Sequence, residues 1–269
     1  MTVDWWVEPS PELADWLGVA EVLLVREDRL PDGGGRKRRS LESFAATVSD
    51  GEEVHVLSYA GSHTVMTLAR LLPNNQIVLY GAAYDGGAYR AAMTRTLDQL
   101  PNVRQHVGPS WRMFLHYGLR RLAAETHQRF MRIGGSLGHD PDTTAVAAEV
   151  CGHVGDAHHH VVSVASGDLF QAIAANTDRV TGVLTQPPLV RLIKRLQFRN
   201  VAGLRRTPLA QRVDAVLDAQ ALTGELWDPV FVGSALHHVQ ATAHPDDRLC
   251  LWVTCPTGIA WMPETLQPV

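Results

Sequence analysis

"VREDRLPDGGGRKRRSLE", residues 25–42, joins two unlike patterns. Its first residues close the apolar run "EVLLVRED" (21–28), whose Val and Leu content reads as a strand. Three glycines then free the backbone, and Arg36, Lys37, Arg38 and Arg39 lead into "SLESFAATVS" (40–49), apolar at helical spacing. The basic stretch itself admits three readings: a solvated loop, a phosphate cradle, or the setting for one reactive lysine. Each wants glycine for backbone freedom and positive charge, so composition does not separate them.

Outward from this stretch, strand and helix patterns alternate. "VHVLSYAG" (54–61) reads as a strand, "SHTVMTLARLL" (62–72) as a helix and "QIVLYGAAY" (76–84) as the next strand. Strand "FMRIGG" (130–135), helix "TTAVAAEVCGHV" (143–154), strand "HVVSVASG" (160–167) and helix "LFQAIAAN" (169–176) follow. "RVTGVLTQ" (179–186) and "RLCLWVTCPTG" (248–258) read as the last strands. Repeated strand–turn–helix units predict an α/β protein with mostly parallel, twisted sheets and helices on both faces. Ligands in such folds collect at the carboxyl ends of strands, where "YAGSHT", "RIGGSLG" and "VASGDLF" lie.

A chain of 269 residues, 45% hydrophobic, is long enough for one large domain or two joined lobes. Its net charge of −4 argues against a general nucleic-acid partner. The opening "MTVDWWVEPSPELADW" has acidic residues and no apolar core of a signal peptide, and no run is long enough to span a membrane. Cys151, Cys250 and Cys255 make no disulfide framework, so a reducing, cytoplasmic setting is expected.

Taken in order, the turns resemble the fold-type II pyridoxal-phosphate enzymes (tryptophan synthase beta-like), in the branch of aminocyclopropane-carboxylate deaminase and D-cysteine desulfhydrase. That branch carries a Lys-Arg-Glu-Asp-like strand followed by Gly-Gly-Asn-Lys-x-Arg-Lys-Leu-Glu, which residues 25–42 parallel. Anchored on Leu41 and Glu42, the family's Schiff-base lysine falls on Lys37. "GSHT" (61–64), "IGGS" (133–136), "WDPVFVGSAL" (227–236) and "VTCPTG" (253–258) match its later motifs in register, over residues 20–260.

The resemblance implies a compact two-lobed unit, with residues 50–140 as the smaller lobe and 1–49 with 141–269 as the larger cofactor lobe. It further implies a pyridoxal-phosphate-dependent lyase or deaminase acting on a small amino acid, and a homodimer. Lys37, Ser62 and His63 would be the catalytic residues. Ser166, Gly167, Asp168, Thr257 and Gly258 would bind the cofactor. A deprotonated lysine amine is the nucleophile such chemistry needs, and neighbouring cations lower its pKa. His63 is suited to proton transfer or, equally, to a buried hydrogen bond.

Several positions depart from the family. Its Gly-Ser-Gly-Gly-Thr-like phosphate loop reads Ala165-Ser166-Gly167-Asp168-Leu169 here, with a carboxylate in place of a glycine. Asp168 either caps its own helix and fills the anion site, or points to solvent and leaves Ser166 and Gly167 for phosphate. The family's Ser and Asn fall on Gly61 and Ser62, though a one-residue slip puts the serine on Ser62. Its Tyr and following polar residue become Phe231 and Val232, and its Thr-Gly-Lys lysine becomes Ser234. A degenerate homologue, kept for binding or assembly, is the alternative these changes raise. "CGHVGDAHHH" (151–160) has no zinc-like spacing and reads as a polar lead into the next strand, so no metal is expected.

Overall fold

Strands that are apolar at successive positions are buried on both faces and pair in parallel beneath flanking helices. "QIVLYGA" (76–82) is such a strand, buried without a break from Ile77 to Ala82. The structure, a computed structural model, describes residues 7–30, 35–83, 87–131, 141–185, 201–203 and 209–255.

In chain order the elements are β1 (Val7–Pro9), α1 (Pro11–Leu17), β2 (Glu21–Arg26), α2 (Gly35–Ala45), β3 (Glu53–Tyr59), α3 (His63–Leu71), β4 (Gln76–Ala82), α4 (Gly87–Asp98), β5 (Val103–Gly108) and α5 (Ser110–Leu122). They continue as β6 (Gln128–Phe130), α6 (Pro141–Val154), β7 (His159–Val164), α7 (Asp168–Ala174), β8 (Val180–Leu184), β9 (Val201–Gly203), α8 (Leu209–Thr223), α9 (Val232–Thr242) and β10 (Arg248–Val253). The described chain divides into two compact units, one of residues 7–30 and 141–255, the other of 35–131.

The first unit holds a six-stranded sheet in the order β1-β2-β10-β7-β8-β9. β1 runs antiparallel to β2, and the other pairs are parallel. The second unit holds a four-stranded parallel sheet, β5-β4-β3-β6. The α/β class expected from the sequence is the class found. Among the described residues no helix is long and apolar enough to cross a membrane.

Each sheet has one point where the strand order reverses. In the first, β7, β8 and β9 step outward and β10 returns to the other side of β7. In the second, β3, β4 and β5 step outward and β6 returns beside β3. Loops leaving neighbouring strands at such a point diverge, opening a crevice at the carboxyl ends. The loops after β3 and β7 are the "GSH" and "SGD" turns singled out above.

Two expected boundaries move. α2 begins at Gly35 rather than Ser40, so the four cations lie in the helix and not before it. Arg and Lys are good helix formers, but hydrophobic spacing registers only from Leu41 onward. Residues 87–122, to which the sequence reading assigned no element, form α4, β5 and α5.

The "VRED" motif does structural work in the first unit. The Arg26 guanidinium is almost wholly buried at the end of β2 and meets Asp28 through two bonds of 2.9 and 2.8 Å. It also donates to Glu8 of β1 at 2.5 Å and to Glu225 beyond α8 at 3.0 Å. Arg29 bridges the same two glutamates at 2.7 and 2.8 Å, and the Trp227 indole donates to Glu225. Removing the cation would strand a buried Asp28 carboxylate, which costs about 3–5 kcal/mol in comparable buried pairs.

His160 on β7 is a second buried polar point. Trp252 Nε1 donates to His160 Nδ1 at 3.1 Å, and an indole can only donate, so Nδ1 carries no proton. Burial, with some help from His158 and His159, pushes the His160 pKa down to about 4. Unfolding below the ordinary histidine pKa therefore takes up a proton, and stability is lost as pH falls from about 6.5 towards 4. Between these values the site alone contributes a slope of up to about 1.4 kcal/mol per pH unit. Urea unfolding at pH 7 and pH 5 should show a lower midpoint at pH 5. His160→Gln should reduce that difference; an unchanged difference would show that His160 is already charged in the fold.

Candidate active site

In the second unit, the turn after β3 is shaped by Gly61. Its φ of +68° is left-handed, and a Cβ there would lie 2.8 Å from Met93 Cβ and 3.2 Å from the Arg90 carbonyl. A side chain at position 61 would be strained and crowded, which disfavours this position for the serine of the resembled family. The hydroxyl of this turn belongs to Ser62, which is buried, extended (φ −76°, ψ 123°) and at the N-cap of α3. Its Oγ pairs with Ser58 Oγ at 3.1 Å and makes no cap bond, leaving the first amides of α3 without side-chain capping from Ser62. Arg90 of α4 steadies the turn from outside, donating to the carbonyls of Ala60 at 2.9 Å and Gly61 at 3.3 Å.

His63 opens α3 and is half-buried, with Nε2 2.5 Å from the hydroxyl of buried Tyr89. Burial first, and the Arg90 cation second, push its pKa down to about 3. The ring is neutral at physiological pH and can share or relay a proton with Tyr89, but it stores no extra proton to give.

Lys37 lies in the first turn of α2, which packs against α3. Leu41, four residues on and fully buried, shares its side of the helix. Arg36, Ser40 and Leu41 are buried around it, and Lys37 itself is half-buried. Arg38 pairs with Glu42 at 2.6 Å. Among the four cations Arg36 is the most buried, and Lys37, Arg38 and Arg39 are each half-buried. The fold thus places Lys37, Ser62 and His63 in one unit, on two helices in contact.

The remaining candidates lie in the first unit. After β7 the chain turns through Gly167, whose φ of +100° makes it the N-cap of α7. Asp168 is thus the first helical residue, not the cap, which corrects one of the two roles considered for it. Its Oδ2 accepts the Ser166 hydroxyl at 2.9 Å. The hydroxyl that would serve an anion is directed at a carboxylate within its own turn. Thr257, Gly258 and the "IGGS" motif lie outside the described residues.

"WDPVFVGS" builds the adjoining helix start. The buried Asp228 carboxylate accepts the amides of Val230, Phe231 and Val232 at 3.0, 2.6 and 3.2 Å. The Phe231 carbonyl accepts Ser163 Oγ of β7 at 2.5 Å, tying this turn to the strand that leads into the Ser166 loop. Gly233 lets α8 approach closely, since a Cβ there would sit 2.7 Å from the Arg212 carbonyl. Ser234 is fully buried, donates to the Val230 carbonyl and accepts Arg212 Nη1 at 3.2 Å. Where the family motif has its lysine, this chain has a hydroxyl that receives a buried guanidinium from α8.

Arg90, Tyr89 and Arg212 were not among the residues read from the sequence. Each acts across an element boundary, at separations no motif spacing encodes. The histidines of "CGHVGDAHHH" disperse: His158 meets Glu21 at 3.1 Å, His159 meets Thr181 at 2.8 Å, and His160 meets Trp252.

Neither a family model nor a curated protein sequence matches the chain. Solved structures do. A threonine deaminase isoform from Solanum lycopersicum superposes with a TM-score of 0.62 at 14% identity, over 93% of this chain and 82% of the other. A homologue of ACC deaminase gives 0.63 at 17% identity, over 93% and 88%. A hydrogen sulfide-producing enzyme from Fusobacterium nucleatum gives 0.64 at 9% identity, over 94% and 95%. The chain shares its α/β fold with these enzymes.

Restoring the family serine at position 61 tests this geometry. Gly61→Ser is expected to destabilise the protein by about 2 kcal/mol or more, from a strained φ and a crowded Cβ together. A chemical-denaturation midpoint equal to wild type would place the turn in another conformation.

Proposed function

We propose that this chain is a pyridoxal-phosphate-dependent enzyme of the lyase or deaminase kind acting on a small amino acid. The observation that carries the proposal is Lys37: a half-buried lysine in the first turn of α2, the helix that packs against α3, whose N-terminus lies at the strand-order reversal of its sheet. The similarity of the fold to deaminases and to a hydrogen sulfide-producing enzyme supports the same kind of chemistry.

Residues of the second unit suit the cofactor and a substrate. Lys37 would be its covalent anchor and the base nearest the reacting carbon. When bound, pyridoxal phosphate supplies an electron sink for a carbanion. The Ser62 hydroxyl and the first amides of α3 suit a substrate carboxylate, because a helix N-terminus favours negative charge. His63 and Tyr89 would hold a proton between a neutral ring and a phenol.

The first unit fits less well. A phosphate at the loop after β7 would meet the Asp168 carboxylate and a Ser166 hydroxyl already engaged by it. Val232 and Phe231 offer no polar side-chain partner to a ring nitrogen. The Ser166–Asp168 bond favours a second reading, a homologue that has given up the cofactor for binding or assembly.

The visible absorbance of purified full-length chain, incubated with pyridoxal phosphate and then desalted, separates the two. An enzyme should retain a visible band that Lys37→Ala abolishes. Asp168→Gly should tighten cofactor retention by about tenfold or more, by removing a like charge next to the phosphate. A colourless wild-type protein, with Asp168→Gly colourless as well, would refute the enzyme reading.

A further inference from the structure

Helix α5 buries one side and exposes an apolar stripe on the other. Met113 and Tyr117 pack against Leu57, Val78 and Tyr80 of the second unit's sheet, and the Tyr117 hydroxyl donates to the Met131 carbonyl, which fixes the roll of the helix. The opposite side presents Trp111, Phe114, Leu115, Leu119 and Leu122, exposed by between 49 and 87%. Five of the seven large apolar residues exposed among the described residues therefore stand on this one helix. At i, i+3, i+4, i+8 and i+11 they form a single stripe, along a helix on the order of 20 Å long. Apolar residues scattered singly are ordinary surface, whereas a contiguous stripe marks a docking face.

We infer that the outer face of α5 seats this chain on an anionic membrane surface, with the stripe among the acyl chains and the arginines at the phosphates. Charge is the first observation that selects this occupant. α5 carries Arg112, Arg120 and Arg121, all exposed, and no carboxylate. Among the described residues none of the three has an ion pair. At about 100° of turn per residue, Arg112 falls beside Leu119 on one flank of the stripe and Arg121 beside Phe114 on the other. Edges of one sign repel a second copy of the same face and match a layer of negative headgroups. The whole chain has a net charge of −4, so an anionic surface attracts this face and repels the remainder, which orients the chain upon it.

Hydrogen bonding is the second observation, and it separates a lipid surface from an acidic protein. Protein interfaces carry about one hydrogen bond per 100–200 Å². Between the two flanking arginines the stripe offers Phe114, Leu115, Gly118, Leu119 and Leu122, which have no side-chain donor or acceptor. Acyl chains require none. The one exception, Trp111, stands at the N-terminal end of the stripe, and an indole with an apolar body and a single donor suits the headgroup level. Interfacial helices combine Trp, Phe and Leu on one face with basic residues beside them; here the second unit's sheet covers the side such a helix would turn to water.

This inference is independent of the catalytic reading, and its test does not use activity. The full chain is sedimented with vesicles of phosphatidylcholine, with and without phosphatidylserine. It should bind the serine-containing vesicles and release them as salt is raised. Leu115→Glu and Leu119→Glu, at exposed positions, should each weaken that binding about tenfold or more with wild-type circular dichroism. Arg112→Gln combined with Arg121→Gln should also weaken it about tenfold or more. A wild type that stays in solution with both kinds of vesicle would overturn the inference. So would vesicle binding that the leucine variants, or the arginine pair, leave unchanged. If wild type ignores the vesicles but binds a synthetic helix with glutamates flanking its leucines, the face belongs to an acidic protein instead. A dimer that ignores vesicles and that Leu115→Glu dissociates would assign it to a second copy.

Discussion

The buried guanidinium of Arg26 holds together parts of the chain that lie far apart in sequence. Its planar fork reaches Asp28 two residues away, Glu8 on the edge strand and Glu225 some 200 residues later. A cation so deeply placed is stable only with its carboxylates, since burial opposes its charge and the hydrogen bonds it donates to Asp28 and Glu225 outweigh that opposition. The cluster fixes the end of β2 against β1 and against the segment that enters Trp227 and Asp228. From there Asp228 starts α9 by collecting three amides, and Ser163 ties that start to β7. The cluster is thus linked through Trp227 and Asp228 to the start of α9, and through Ser163 to β7, whose following loop carries Ser166 and Asp168.

The chemistry of the candidate site follows from what the backbone leaves open. Gly61 adopts a conformation that strains and crowds a side chain, and the hydroxyl at the head of α3 comes from Ser62. His63, beside it, is held neutral by its partly enclosed position and by Arg90, and its Nε2 meets the Tyr89 hydroxyl. Gly167 takes the cap of α7, which moves Asp168 into the helix and turns it towards Ser166. Positive charge is redistributed in the same way: Ser234 receives the guanidinium of Arg212, so a cation returns to that turn from a different helix. The scaffold is kept while the polar groups upon it change.

A large share of this was legible in one dimension, for reasons that differ by element. The parallel strands were visible because burial on both faces demands uninterrupted apolar residues, as in "QIVLYGA". The turns at their carboxyl ends were visible because they need small residues. The order of "GGGRKRRSLE", "GSHT" and "WDPV" was enough to suggest the fold that superposition then displayed. In α5 the apolar stripe of Trp111, Phe114, Leu115 and Leu119 faces away from the sheet that buries Met113 and Tyr117, so helical spacing did not say which side the core would cover.

By itself the sequence determined the α/β class and the strand–turn–helix alternation, because periodicity and small-residue turns are local properties of a chain, while the candidacy of Lys37 came from the resemblance of residues 25–42 to a family motif. Only the tertiary structure decided how deeply each basic residue of α2 is buried, which hydroxyl occupies the α3 turn, and which carboxylate claims Ser166. Those outcomes depend on Met93, Arg90 and Leu41 meeting particular atoms across element boundaries, and on backbone angles at Gly61 and Gly167. Contacts between distant segments are set by packing in three dimensions, and no spacing along the chain encodes them.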